Sequence, residues 1–390
     1  MAGEGGRVDL CVDAGVAEGE RVRERLPFVL LGVGSGKRVR LMQMARQELG
    51  LPPATLVEWR DWLAQPELLD AALSRPCVLK IESPGDDPAL HYRLVQEGCQ
   101  VLGSGVPPAP DHGEVSVSPA WFSGFSAAMQ RIAALLAGLP HVRVLNAPHE
   151  LLLMTDKLRC QQHLEGHQVR TPRLLGPIDS YEHLRALLDE QALDQVYVKT
   201  RFGSSASGVI AYRRNGRGAE QATTSAHLVH TQYGARLYNV KRLRRYDRQS
   251  DIVQLVDLLA GQQAYAEVWL PKPRCGNGHY DVRVLTLGGT PAHRVARVGT
   301  RMMTNLHLDN RRADVDALLN VPDQVALARV ARQAAAAFPA SHVIGLDIVV
   351  RRGSASVLEA NAFGDLLPGL LCEGIDSYAG QLQAFVSHEA

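Results

Sequence analysis

The chain has 390 residues, of which 46% are hydrophobic and 21% charged, and its formal net charge is +1. That length and composition suit a globular protein with more than one packed unit, and the near-neutral balance excludes a whole-molecule electrostatic case for nucleic acid or an anionic membrane. No apolar run reaches the length of a membrane span, and Cys11, Cys77, Cys99, Cys160, Cys275 and Cys372 form no CxxC pair, so neither a zinc ribbon nor a disulfide framework is indicated and a cytoplasmic location is expected.

Residues Met1 to Leu26 are polar and glycine-rich rather than basic then apolar, and read as a flexible tail. The first patterned stretch is FVLLGVGSGKRVR, Phe28 to Arg40. A phosphate loop would need glycine where Leu31 stands and a hydroxyl where Arg38 stands, and a dinucleotide turn would need its third glycine at Lys37. Glu58, at the end of the next predicted strand, is the one feature that keeps the dinucleotide reading open; the plainer reading is strand, glycine turn, helix. From Phe28 to about Leu139 apolar runs alternate with amphipathic ones: strand FVLLGV, helix RVRLMQMARQEL, strands TLVEW and CVLKIE, helix ALHYRLVQEG, then AMQRIAALLAGL. Such alternation predicts a mostly parallel sheet flanked by helices, an α/β arrangement.

VRVLNAP then reads as the start of a new unit. Thr155 is placed to cap a helix DKLRCQQHLEG closed by Gly166, and a second helix, SYEHLRALLDEQ, leads to strand VYVK, a glycine-serine loop and strand GVIAYRR. Residues 215–234 are polar with little pattern and are expected to be a loop. RLYNVKRLRRYDR follows, then helix IVQLVDLLAG and strand AYAEVWL. Beyond Pro271 come strands VRVLTLGG and HRVARV, a helix around ALARVARQAAAAF, and the pair VIGLDIVV and SVLEANA. There is no internal repeat.

That last pair carries the strongest chemical signal. A hairpin turning about Gly353 sets Asp347 opposite Glu359, with Asn361 on the same face, while Leu346, Ile348, Val350 and Leu358 form the apolar face. Opposed carboxylates repel unless a cation lies between them, and Asp, Glu and Asn oxygens are hard donors suited to magnesium. The plain alternative, an exposed polar face, would leave that repulsion uncompensated. A second signal is VYVKTRFGSSASGV: Lys199 ends a strand, and Gly203 to Gly208 enclose Ser204, Ser205 and Ser207, a loop whose amides can turn on an anion. Glycine-serine turns are usually structural, but with the acidic hairpin this one reads as half of a nucleotide site.

In this order the chain resembles an ATP-grasp protein, nearest to the branch containing glutathione synthetase and the ribosomal-protein glutamate ligases. The matching segments are Asp156-Lys157; Lys199 with Gly203 to Gly208; Glu267-Val268-Trp269-Leu270; Asp281-Val282-Arg283; Arg297 with Arg301 to Asn305; and Asp347 with Glu359 and Asn361. They span roughly residues 141–375. The resemblance implies a pre-ATP-grasp α/β domain at 27–145 that shapes the acceptor side of the site, a central lid subdomain at 146–270 and a C-terminal sheet subdomain at 271–390.

It further implies that Lys157 and Lys199 bracket the ATP phosphates together with Gly203, Ser204, Ser205 and Gly208. Glu267, Val268, Trp269 and Leu270 would offer backbone groups to adenine, and Asp347, Glu359 and Asn361 would hold two magnesium ions, with manganese as a substitute. Arg283, Arg297 and Arg301 would stabilise the transferred phosphoryl group, and Asn305 would orient the substrate carboxylate. The implied reaction joins a small-molecule or peptide carboxylate to an amine through an acyl phosphate, with neither nucleic acid nor membrane as partner. A homodimer is in keeping with the family, though no heptad or apolar stripe specifies one. Within the same resemblance stand a kinase of a small molecule and a regulatory protein that binds ATP without turnover. Asp309-Asn310-Arg311-Arg312 after His307 departs from the family's glycine pair, and no acid for the ribose follows Trp269, where Lys272 and Arg274 occur. The basic run Arg236, Lys241, Arg242, Arg244, Arg245 and Arg248 falls in the lid region and reads either as a solvated helix face or as a surface for an acidic substrate or peptide. His293 and His307 are expected to be structural.

Overall fold

The computed structural model describes residues 27–85, 87–203, 208–232, 234–300, 303–304, 310–363 and 367–387. The first sheet is all parallel, ordered β2-β1-β3-β4. Its strands are β1 (Phe28–Gly32), β2 (Thr55–Glu58), β3 (Cys77–Ile81) and β4 (Val142–Val144), and its helices α1 (Lys37–Glu48), α2 (Trp59–Ala64), α3 (Glu67–Ala72), α4 (Pro88–Leu102) and α5 (Ser118–Ala137). β1 is buried along its whole length, as a central parallel strand covered on both faces should be. VRVLNAP does not open a new unit: Val142 pairs with Cys77, so β4 completes this sheet. α4 and α5 cross at Gly98 and Gly124, where a Cβ on Gly98 would lie 1.7 Å from the Ala120 carbonyl oxygen and one on Gly124 2.0 Å from that of Leu94.

The glycine turn after β1 is a plain one. The Gly34 amide donates to both carboxylate oxygens of Glu58, at 3.0 and 3.1 Å, so the protein's own acid occupies the amide that an anion would need.

α6 (Pro148–Thr155) and α7 (Lys157–Gly166) link this sheet to the second one. Thr155 is not the cap of α7: it ends α6, and its hydroxyl donates to the Leu151 carbonyl, while Asp156 caps α7 by accepting from the Arg159 amide. The second sheet is ordered β5-β10-β6-β7-β8-β9, from β5 (Leu174–Ile178), β6 (Gln195–Thr200), β7 (Val209–Arg214), β8 (Glu220–Thr231), β9 (Gly234–Tyr246) and β10 (Ala264–Val268). One face carries α8 (Tyr181–Glu190) and α9 (Gln249–Ala260) over Val196, Val198, Ile210 and Tyr212. The expected loop at 215–234 is largely β8. Its buried side is Ala222, Thr224, Ala226 and Leu228, residues too small or too polar to raise a period-two signal. All of the basic run but Arg248, which precedes α9 as its N-terminal cap residue, lies on β9 at the sheet edge and not on a helix face.

The third sheet is ordered β14-β13-β12-β15-β16, with β11 paired to β12. It comprises β11 (Arg274–Cys275), β12 (Gly278–Leu287), β13 (Thr290–Gly299), β14 (Arg311–Ala313), β15 (Val343–Arg351) and β16 (Ser354–Asn361). α10 (Val321–Ala336) packs on its apolar face, bringing Ala326, Ala331, Ala334 and Ala335 against Ile344, Leu346, Ile348 and Val350. A short ribbon, β17 (Leu371–Cys372) and β18 (Ile375–Asp376), and α11 (Ser377–Ser387) close the chain's described part.

The sheets touch at several points. Phe122 of α5 stacks on Phe202, just past β6, at 4.1 Å and 11°. The Arg38 guanidinium donates to the Phe363 carbonyl beyond β16. Residues 113–115 lie along β9: Val115 N–H donates to Leu237 O at 2.8 Å, and Asn239 N–H to Gly113 O at 2.7 Å.

Candidate active site

The acidic hairpin forms, by a route the sequence does not advertise. Arg352 and Gly353 both take positive φ, 53° and 70°, and make a two-residue turn closed by the pair Arg351 and Ser354. That register alone would set Asp347 against Leu358. A bulge between Asp347 and Ile348 inserts Leu358 as an extra residue, so that Asp347 faces Glu359 and Gly345 faces Asn361. Leu358 therefore leaves the apolar face to which its alternation assigned it. It is half-buried and lines the cleft instead.

Asp347 lies among arginines. The Arg283 side chain donates to it through Nε, and through Nη2 at 3.2 Å, while Arg297 Nη2 donates to Oδ2 at 3.0 Å. Burial would raise its pKa, but the two guanidiniums hold it below the ordinary carboxylate range. Arg297 is shared: its Nε and Nη2 also donate to Asp281 at 2.8 and 2.9 Å. Asp281 in turn accepts from Lys272 Nζ at 2.9 Å, and that ammonium donates to the Thr304 hydroxyl at 2.7 Å. The Asp281 carboxyl is held far below its usual value, since Arg297 and Lys272 outweigh its burial. Strand pairing explains the assembly: Asp281 faces Arg297 across β12 and β13, and Arg283 faces Asp347 across β12 and β15. Arg283 Nη1 is buried, has no hydrogen-bond partner among the described residues, and passes over Gly345, where a Cβ would lie 3.2 Å away.

Opposite this sheet stand two lysines. Lys157, first residue of α7, donates to Glu359, and Lys199 Nζ lies 2.5 Å from Glu267 Oε1. Burial and the neighbouring Lys199 charge bring the Lys157 pKa down to about 8. Glu267 has its carboxyl raised by burial against the pull of Lys199, and its Oε2 is buried with no hydrogen-bond partner among the described residues. Burial pushes the Cys160 thiol, one turn along from Lys157, up to about 12, so it is no thiolate nucleophile at neutral pH.

Most of these groups, though neither Arg283 nor Cys160, line a cleft between the second and third sheets of about 830 Å³, counting the space open to solvent. Of the residues singled out in the sequence, Lys157, Lys199, Gly203, Glu267, Leu270, Arg297, Asp347 and Glu359 line it. Gly208 sits at the end of the serine loop with φ +69°, where a Cβ would come within 2.9 Å of Thr200. Arg283 is behind Asp347, and Asn361 follows Glu359 on the same face with its amide 3.4 Å from the Gly345 carbonyl oxygen. The strand expected at Glu267–Leu270 ends at Val268, whose N–H donates to Arg173 O; the Trp269 ring packs on Tyr197 at 4.9 Å. Ser204, Ser205, Arg301 and Asn305 lie outside the described residues, as do Ser207 and His307. His293 is buried, with Nε2 2.9 Å from the Ile375 carbonyl oxygen and away from the cleft.

Sequence reasoning passed over Lys272, Thr304, Tyr197 and Met303 as lining residues. Lys272 was visible only as a basic residue where an acid was sought.

No protein-family model matches the sequence, and no curated protein sequence matches it significantly. Solved structures do. The ADP complex of PurK, an N5-carboxyaminoimidazole ribonucleotide synthetase, superposes with a TM-score of 0.56 at 12% identity over 93% of this chain and 78% of that one. D-cycloserine synthetase DcsG gives 0.54 at 16% identity over 93% and 99%. The ATP-grasp ligase PsnB, complexed with a minimal precursor, gives 0.52 at 15% identity over 94% and 99%.

Proposed function

The chain has the ATP-grasp fold, and on that premise we propose that it is an ATP- and magnesium-dependent carboxylate–amine ligase working through an acyl phosphate. The observation that carries the reading is the cleft itself, where two lysines from one side meet an arginine-buttressed acidic hairpin from the other. In this reading residues 27–145 form the acceptor-side domain, 146–270 the lid subdomain and 271–390 the metal-bearing subdomain.

Asp347, Glu359 and Asn361 would hold the metal. Among the described residues no group of three or more His, Cys, Asp or Glu side chains is placed to bind an ion. Two carboxylates and an amide on one hairpin are a partial, all-oxygen set, which fits magnesium because that ion keeps waters and takes phosphate oxygens for the rest. When bound, magnesium neutralises charge on the β- and γ-phosphates and suits them to in-line transfer.

The chain's own residues supply the remainder. Lys157 and Lys199 now neutralise Glu359 and Glu267, and each is a cation that a phosphate can recruit from its carboxylate. Leu358, Tyr197 and Met303 make an apolar wall, and Leu270 follows the hinge strand, where backbone groups suit an adenine edge. Arg297, fixed by Asp281 and Asp347, and Arg283, with a nitrogen to spare, are oriented before any ligand arrives, so they stabilise developing charge with little reorganisation. A substrate carboxylate attacks the γ-phosphorus, ADP leaves, and an amine then displaces phosphate from the acyl phosphate. Water competes for that intermediate, and the stacked Phe122 and Phe202 beside the lid loop help to exclude it.

The test is ADP release with Mg-ATP, a pool of amino acids and small acids, and hydroxylamine as surrogate amine. ADP together with hydroxamate supports the ligase. ADP with a stable phosphoester and no hydroxamate moves the reading to a kinase, and nucleotide binding without ADP release moves it to a regulatory protein.

A further inference from the structure

We infer that the outer half of β9 with the two residues beyond it, Lys241 to Arg248, is a docking surface for an acidic peptide segment at the mouth of the cleft. What such a peptide would be for rests on the ligase reading; that it binds rests on the strand alone. Six of the 13 residues from Arg236 to Arg248 are Lys or Arg and only Asp247 is acidic, in a chain whose net charge is +1. Lys241, Arg242, Arg244, Arg245 and Arg248 are all exposed. Arg245 lies 3.5 Å from exposed Asp247; Lys241, Arg242, Arg244 and Arg248 have no carboxylate partner among the described residues. Exposed ion pairs are individually weak, so a patch of this density matters only for a ligand that engages several at once.

Its position ties it to the site. Between the pairs Ala226 with Asn239 and Thr224 with Arg244, β9 carries extra residues that bulge outward around Lys241 and Arg242. Leu243 of that bulge packs with Tyr197 and Met303, both of which line the cleft. The cations therefore stand on its rim.

The other half of the same strand displays the mode of binding. There the chain's own acidic segment, Asp111 to Val115, is held against the edge as a turn, closed by the Glu114 amide donating to Asp111 O at 3.0 Å, which ends in a single antiparallel bridge of Glu114 with Tyr238 and backbone hydrogen bonds to Leu237 and Asn239. Its carboxylates lie 3.5 Å (Asp111) and 3.7 Å (Glu114) from Arg236, and the Tyr238 hydroxyl donates to Asp111 at 2.8 Å. An acidic backbone thus pairs with the first half of β9, and the second half offers a denser set of the same partners with nothing upon them among the described residues. That precedent of main-chain pairing at a strand edge favours a peptide over nucleic acid, for which the described residues of the rim offer no stacking platform of exposed aromatic rings.

The experiment uses the full chain and three fluorescein-labelled probes: a nonapeptide alternating Glu and Thr, its Gln counterpart, and an oligothymidylate of equal charge. Anisotropy should show the Glu peptide binding about tenfold tighter than the Gln peptide, and weakening about tenfold as ionic strength rises from about 0.05 M to about 0.5 M. The variant carrying Lys241→Glu, Arg242→Glu, Arg244→Glu and Arg245→Glu should lose that binding while its ATP affinity stays within about twofold of the wild type. Equal binding of the Gln peptide, undiminished binding by the variant, or an oligothymidylate that binds as tightly as the Glu peptide would each overturn the proposal. The first and third outcomes are read on the wild type, so a misfolded variant does not shelter it. Hydroxamate formation from small acids reports on the cleft alone, so peptide binding without hydroxamate fails the ligase reading, and hydroxamate without peptide binding fails this one.

Discussion

Asp281→Asn isolates the electrostatic centre of the site with almost no change of shape. In the wild type the half-buried Lys272 and the buried Arg297 and Arg283 face two buried carboxylates, Asp281 and Asp347, and the Asn variant leaves three cations facing one. It also turns three charge-assisted bonds of 2.8 to 2.9 Å into at best one neutral acceptor and one misplaced donor. Breaking a buried pair in this way costs about 3–5 kcal/mol, a large share of the roughly 5–15 kcal/mol that a folded domain typically has. Urea unfolding, which leaves ion pairs unscreened, should register the loss as a lower midpoint. Because the folded-state pKa of Asp281 is depressed, its contribution is fully present above the unfolded-state value near about 3.9 and is lost as pH falls. The gap between wild type and variant should therefore be flat from about pH 5 to 8 and narrow by about 1.4 kcal/mol for each pH unit below about 4. A gap under about 1 kcal/mol at neutral pH, the size of a surface pair, would refute the account of Asp281 as the buried hub.

Glu359→Ala should abolish ADP release with every carboxylate while leaving the fold intact; ADP release at the wild-type rate would remove Glu359 from the metal set. Lys272→Met keeps the stem but takes the ammonium from Asp281 and Thr304, and isothermal titration should find ATP binding weakened about tenfold, the worth of one charge-assisted contact. An unchanged affinity would make Lys272 a strut for Asp281 rather than part of the nucleotide wall. Gly98→Ala must push α4 and α5 apart, because its Cβ would stand 1.7 Å from the Ala120 carbonyl oxygen, and thermal unfolding should show a loss of about 1–3 kcal/mol or more.

Much of the fold was legible because its buried faces are written in large apolar residues. FVLLG and VIGLDIVV announce a central strand and a core-facing hairpin, and the opposition of Asp347 and Glu359 followed from assuming a hairpin at all. The turn is half a residue away from Gly353 as centre, and only the bulge at Leu358 restores the pairing, so that side chain's place at the cleft could not be read from alternation. β8 hid because its buried side relies on Ala222, Thr224 and Ala226. Lys272 hid for another reason: its meaning depends on Asp281 and Thr304, which strand pairing and chain return bring to it across nine and 32 residues. Site residues defined by their partners across a sheet are not encoded in any local window.

The bridge that residues 113–115 make with β9 has a kinetic side. A lid attached to the rest of the molecule only at its hinge can open at the cost of its own contacts with ligand. In the proposed reading the second sheet is that lid, and it is also laced to the first sheet's connections by Val115, Asn239 and the Arg236 pairs, with Phe202 clasped by Phe122. On that reading it swings wide only if the lacing comes undone, and release of product becomes a peeling event shared by two parts of the chain. The amides of Val115 and Asn239 should then exchange with solvent at matched rates, and loosening Asp111 should speed turnover wherever release is the slow step.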